Sequence, residues 1–296
     1  MFPRQLFLLA AGWLLCVSRA DAADLVRFES AAVPVSEFQQ KRAQARGEAF
    51  PPPRGDEVQA YVVKPPGNGP HPVVIYLHDC GGLPPEVKTS EFGAQGSLAE
   101  TSREAFWTKR LTSRGYAVVL VDSYGPRGTK DTCADPTFDA SRVADTYGAL
   151  AYVAKQPWAD PQRVGLLGFQ TGDVWRIPAP ADTTAFIVEP ERFKAAVAFV
   201  YSPLCGMKSR MAAPTLVING ISAPDATERC PRVTAQQSAG GAPAEERVAP
   251  NLFKNFEPNS PMPDKTTFSE WLRSEPKNAE MAAAQVKDFL AQHLKP

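Results

Sequence analysis

The chain has 296 residues, 44% hydrophobic and 22% charged, which excludes a disordered or collagen-like polymer and leaves room for a large packed core. Lys+Arg and Asp+Glu both number 32, so the basic surplus that phosphate-backbone binding draws on is missing and nucleic acid is not an expected partner. The 29 prolines gather in clusters such as residues 51–53 and 65–66, which points to stiff loops around a core rather than to a repeat.

Residues 1–22 combine Arg4, an apolar run over 6–17 and the small-residue end Ala20-Asp21-Ala22, the three zones of a secretory leader, with cleavage expected after Ala22. The apolar run is too short to cross a bilayer, which takes about 20 residues, and no other segment reads as a membrane span. A secreted or periplasmic protein is therefore expected. Cys16 leaves with the leader, and an even set of Cys80, Cys133, Cys205 and Cys230 stays. With no Cys-x-x-Cys and only His71, His78 and His293 as imidazoles, disulfides are a better reading than a metal site, and no cofactor is expected.

Residues 23–57 read as a peripheral segment with a short strand over 25–28, a charged stretch over 39–46 and the proline break. Residues 58–64 read as a strand, 65–72 as a turn that holds His71, and 73–78 as a continuous apolar strand of the kind buried on both faces. Thr101 and Glu104 have capping-box spacing, after which Phe106, Trp107 and Leu111 mark a helix face ending at Gly115. A strand over 116–122 follows. Val143, Tyr147, Leu150 and Val153 give helical spacing over 139–156, and strands are expected over 163–169, 195–201 and 215–219. Met281, Phe289, Leu290 and Leu294 place a last helix over 278–294. Strands alternating with helices define an α/β chain with a mostly parallel sheet covered on both faces, so functional groups belong at the carboxyl ends of the strands.

Three strings lie at those ends: His78-Asp79-Cys80-Gly81-Gly82, Asp122-Ser123-Tyr124-Gly125-Pro126-Arg127-Gly128, and Gly168-Phe169-Gln170-Thr171-Gly172. Together they resemble the exported dienelactone-hydrolase-like branch of the α/β hydrolases, from about residue 25 to the C-terminal helix. The resemblance implies an α/β-hydrolase domain over 58–296, ester or lactone hydrolysis as the family activity, and a Ser/Cys-Asp-His triad. It also implies where that triad should lie, and there the chain departs from it. The nucleophile position carries Gln170, whose amide has no ionisable O–H or S–H. Thr171 stands one residue late, where the family uses a backbone N–H as oxyanion donor. Asp225 is displaced from the acid position, and Lys254 stands where the imidazole belongs, with no lone pair at neutral pH. His78, Asp79 and Cys80 fall on the oxyanion loop, with Asp79 in place of a glycine, so its carboxylate would oppose a developing oxyanion. Ser123 and Tyr124 face the same pocket, and Pro178 and Pro180 interrupt the helix expected after the nucleophile turn.

These departures predict a catalytically degenerate protein that binds a small polar or anionic molecule or serves as a scaffold. The alternatives are an esterase or lactonase with a rearranged site and a surface interaction protein using residues 175–192. The four cysteines allow three pairings. The loops at neighbouring strand ends favour Cys80–Cys133 and Cys205–Cys230, a separation that a disulfide spans.

Overall fold

The computed structural model describes residues 23–32, 37–48, 54–83, 103–129, 132, 140–169, 192–200, 213–219, 243–248 and 276–295. Eight strands form one sheet: β1 (Asp24–Glu29), β2 (Glu57–Val63), β3 (His71–Leu77), β4 (Ala117–Asp122), β5 (Ala159–Phe169), β6 (Ala195–Val200), β7 (Thr215–Asn219) and β8 (Ala244–Val248). Their spatial order is β1-β2-β4-β3-β5-β6-β7-β8. β1 and β2 run antiparallel to their neighbours, and β4 to β8 with β3 are parallel. The described helices are α1 (Glu37–Ala45), α2 (Arg103–Thr112), α3 (Ala140–Ala154) and α4 (Pro276–Leu294).

The unbroken apolar run of β3 is a consequence of two covered faces. Val74 and Tyr76 point into a core with Phe106, Trp107 and Leu111 of α2 and Val286, Phe289 and Leu290 of α4. Val73, Ile75 and Leu77 alternate into the other core, against Val143, Tyr147, Leu150 and Val153 of α3. A period of two along the strand thus fills both layers, and each fully buried aliphatic side chain contributes about 1.5–3 kcal/mol. Register then brings the strand ends level: Leu77 lies beside Val121 of β4 and Gly168 of β5, and Phe169 beside Phe199 of β6. The residues that follow these strands share one edge.

Several expectations shift. Residues 24–29, expected at the periphery, are the edge strand of the same sheet, and the charged stretch over 39–46 falls mostly within α1. β3 starts at His71, whose N–H donates to the Trp158 carbonyl (2.8 Å), so this histidine is a strand residue and not part of a turn. β8 was not anticipated, because Ala-Glu-Glu-Arg-Val lacks an apolar run. Glu104 is a buried carboxylate that bonds Tyr76 and Arg103, and Thr101 lies outside the described residues. On α4, Phe289, Leu290 and Leu294 are buried, but Met281 is exposed.

Candidate functional site

The loop after β3 is built around Asp79. The carbonyl of Asp79 accepts from His78 Nδ1 (2.6 Å) and from the Gly82 N–H (3.2 Å), and its carboxylate Oδ1 accepts the Gly81 N–H (2.8 Å). A carbonyl only accepts, so Nδ1 carries the ring hydrogen and the neutral imidazole leaves a lone pair on Nε2. That atom is fully buried and has no hydrogen-bond partner among the described residues. Burial, aided by the nearby Arg142 guanidinium, lowers the His78 pKa to about 3, so the ring stays neutral at working pH. Arg142, buried on α3, donates Nη2 to the His78 carbonyl (2.5 Å). The His78 ring meets Tyr124 edge-on at 4.5 Å.

Arg103, the first residue of α2, closes the other side of the loop. Its Nη1 donates to Asp79 Oδ2 (2.7 Å), and its Nη2 donates to Glu104 Oε1 (2.9 Å), which also accepts the Tyr76 hydroxyl (3.0 Å). Burial by itself raises the Asp79 pKa, but the Arg103 charge and the Gly81 N–H outweigh it and hold the carboxyl below its ordinary range. Burial and the Glu104 carboxylate push the Tyr76 hydroxyl well above 10, so it serves as a fixed donor. The Arg103 guanidinium lies 4.6 Å over the Phe169 ring. Phe169 in turn stacks on Phe199 (4.6 Å, 11°), and Trp107 packs against Phe199 at 5.3 Å. An aromatic layer therefore lies under the ends of β5 and β6. The Trp107 Nε1–H is buried without a partner among the described residues.

The turn after β4 is a different construction. Asp122 Oδ1 accepts the Gly125 N–H (2.8 Å) and Oδ2 accepts Gln59 Nε2 (2.8 Å). A Cβ on residue 125 would run into the Asp122 carboxylate, and residue 128 sits at φ +68°, so both glycines are required by the backbone. Arg127 grips Asp145 of α3 in a bidentate pair (2.7 and 2.9 Å), reaches Asp56 (2.8 Å) and donates to the Ser123 carbonyl (2.8 Å). Its hydrogen bond to Asp145 raises its pKa further, so it is a permanent cation. Ser123 Oγ is buried and has no partner among the described residues, His78 included. Tyr124 Oη pairs with Thr132 Oγ1 (2.7 Å).

Of the expected site residues, His78, Asp79, Cys80, Ser123 and Tyr124 do come together at this edge. Gln170 and Thr171 follow directly on the last residue of β5 but lie outside the described residues, as do Asp225, Lys254, Cys133, Cys205 and Cys230. Cys80 is buried, and the Thr132 N–H donates to its carbonyl (2.8 Å). Arg103, Glu104, Tyr76 and Arg142 were not foreseen. The one available signal was a charged pair, Arg103-Glu104, opening a helix whose next two residues are Phe106 and Trp107 after Ala105. Among the described residues no group of three or more His, Cys, Asp or Glu could hold a metal ion, and no helix is long and apolar enough to cross a membrane.

No family model and no curated protein matches the sequence. Solved structures do. A Klebsiella pneumoniae subsp. pneumoniae protein assigned to the dienelactone hydrolases is 18% identical with a TM-score of 0.52, over 91% of this chain and 99% of that one. A structure named m3DLH is 14% identical with a TM-score of 0.53, over 93% and 100%. The dienelactone hydrolase of Anabaena variabilis is 16% identical with a TM-score of 0.49, over 90% and 98%. At these identities the likeness defines the fold. The chain has the α/β-hydrolase fold, in the arrangement also seen in structures of dienelactone hydrolases.

Proposed function

We propose that this is an exported, dienelactone-hydrolase-like protein that no longer hydrolyses esters and instead binds a small polar molecule at the carboxyl edge of its sheet. One observation carries the reading: three N–H donors of the loop after β3, on His78, Gly81 and Gly82, end on Asp79. An acyl-transfer site needs such donors aimed at a developing oxyanion, where losing one costs about 100- to 1000-fold in rate. Here they are spent on a carboxylate and a carbonyl of their own loop. The sequence agrees, since the residue after β5 is Gln170 and Lys254 stands at the histidine position.

Export rests on the leader-like residues 1–22, and the reading includes a disulfide at Cys80, a bond that persists in oxidising compartments. Cys133 is its partner in this reading, because the neighbouring Thr132 is hydrogen-bonded to Cys80. Purified protein should give neither covalent labelling with a fluorophosphonate nor turnover of a chromogenic short-chain ester. Labelling or turnover that disappears with Thr171→Ala overturns the reading. N-terminal sequencing of the exported form should begin at Ala23, and non-reducing peptide mapping should join Cys80 to Cys133.

A further inference from the structure

We infer that Asp79 is the specificity-determining residue of this site: its carboxylate is a built-in occupant of an anion cradle formed by the Arg103 guanidinium and the Gly81 N–H, and it closes that subsite to anionic ligands. The inference deepens the binding reading above and rests on it. Each half of the cradle is an anion-recognition group in its own right. A guanidinium presents paired donors to a carboxylate, and a backbone N–H in a glycine-rich loop is the donor that nests use. The two converge on one carboxylate, with Oδ2 on Arg103 at 2.7 Å and Oδ1 on Gly81 at 2.8 Å.

The cradle is held from behind. Arg103 is fixed by Glu104 and by the Phe169 ring, so its head group keeps its place whether or not residue 79 is acidic. Its position also matters, because Phe169 is the residue before Gln170, at the strand end where an α/β-hydrolase reads its substrate. What the loop turns outward is correspondingly one-sided. The Asp79 carboxylate, part of which stays exposed, is an acceptor. A ligand meets this loop with a hydrogen-bond donor or a positive group, and a carboxylate or phosphate finds the donors taken.

Removing the side chain vacates the cradle. The test melts purified wild-type protein and Asp79→Gly in sodium formate and in sodium chloride at matched ionic strength. The variant should melt below the wild type and regain about 3 °C once formate exceeds its dissociation constant about tenfold, while chloride has no such effect and the wild type melts alike in both salts. Adding Arg103→Met to Asp79→Gly should abolish the formate response. If Asp79→Gly fails to fold, Asp79→Ser, too short to bridge to Arg103, provides the same readout. A folded variant that responds to formate no more than to chloride overturns the inference, as does a wild type that gains as much as the variant. Ester turnover by the wild type would instead remove the binding reading while leaving these melts untouched, so the two failures are told apart.

Discussion

The loop after β3 and the turn after β4 leave neighbouring parallel strands at the same edge, yet they use polar groups in opposite ways. In the turn after β4 the charges reach outward into the frame: Asp122 ties to Gln59 of β2, and Arg127 ties to Asp145 of α3 and to Asp56. In the loop after β3 the donors fold back onto Asp79, and a fully buried imidazole nitrogen is left without a partner among the described residues. The more distinctive string in the sequence, residues 122–128, is thus a clamp between layers. The less distinctive one, residues 78–82, bonds mainly within its own loop and to Arg103, and it is the loop on which the proposed binding site rests.

The comparison is broken most directly at the clamp. Arg127→Met leaves the fully buried Asp145 without its bidentate partner, and removing one member of a buried pair costs about 3–5 kcal/mol. Urea denaturation should show that loss as a fall in midpoint, and a variant within about 1 kcal/mol of wild type would mean that the clamp is decorative.

Acid tests the loop after β3. Folded His78 has a pKa of about 3 against an ordinary 6.5, so between those values the unfolded chain binds a proton that the folded chain does not. Stability therefore falls as the pH drops through that window, by about 1.4 kcal/mol per pH unit from this group. Asp79 acts in the same direction but later: its folded pKa is depressed, so the stability it contributes is lost only as the pH falls below the ordinary carboxyl range. His78→Gln should flatten the slope between pH 6 and 4.5, measured as the difference from wild type, and an unchanged slope would contradict the buried neutral imidazole.

Smaller effects sharpen the contrast. Tyr76→Phe removes one of three donors to Glu104 Oε1 while Arg103 stays, so about 1 kcal/mol is expected in the same denaturation assay. Arg27→Ala breaks an ion pair with Glu57 whose partners are both about two-thirds exposed, and the midpoint should stay within about 0.5 kcal/mol of wild type.

The elements that could be read from sequence were those whose pattern reports burial directly. The apolar runs at β3, β4 and β5 and the spacing of Val143, Tyr147, Leu150 and Val153 carry their own packing information. β8 could not be read, since Ala-Glu-Glu-Arg-Val becomes a strand by pairing with β7 rather than by its own apolarity. The site divides in the same way. That His78, Asp79, Ser123 and Tyr124 share an edge follows from strand alternation, because each lies just past a parallel strand. Asp79, however, was expected to stand as an open carboxylate against an oxyanion. It is instead neutralised by Arg103, a residue far along the chain, and no local pattern encodes a salt bridge between a loop and the first turn of a later helix. Arg142 on the His78 carbonyl is hidden for the same reason.

β3 lies between β4 and β5, both of which come later in the chain, so its pairing with β5 closes a long loop that contains α2, β4 and α3. The strand that carries the Asp79 loop is thus completed by long-range closure, whose entropy has to be lost before any contact rewards it. Folding of this centre is accordingly expected to be slow compared with the local formation of α3. Substitutions that thin the β3–β5 contact, such as Ile75→Val or Leu166→Ala, should then be felt in the time taken to reach the native state as well as in its final stability.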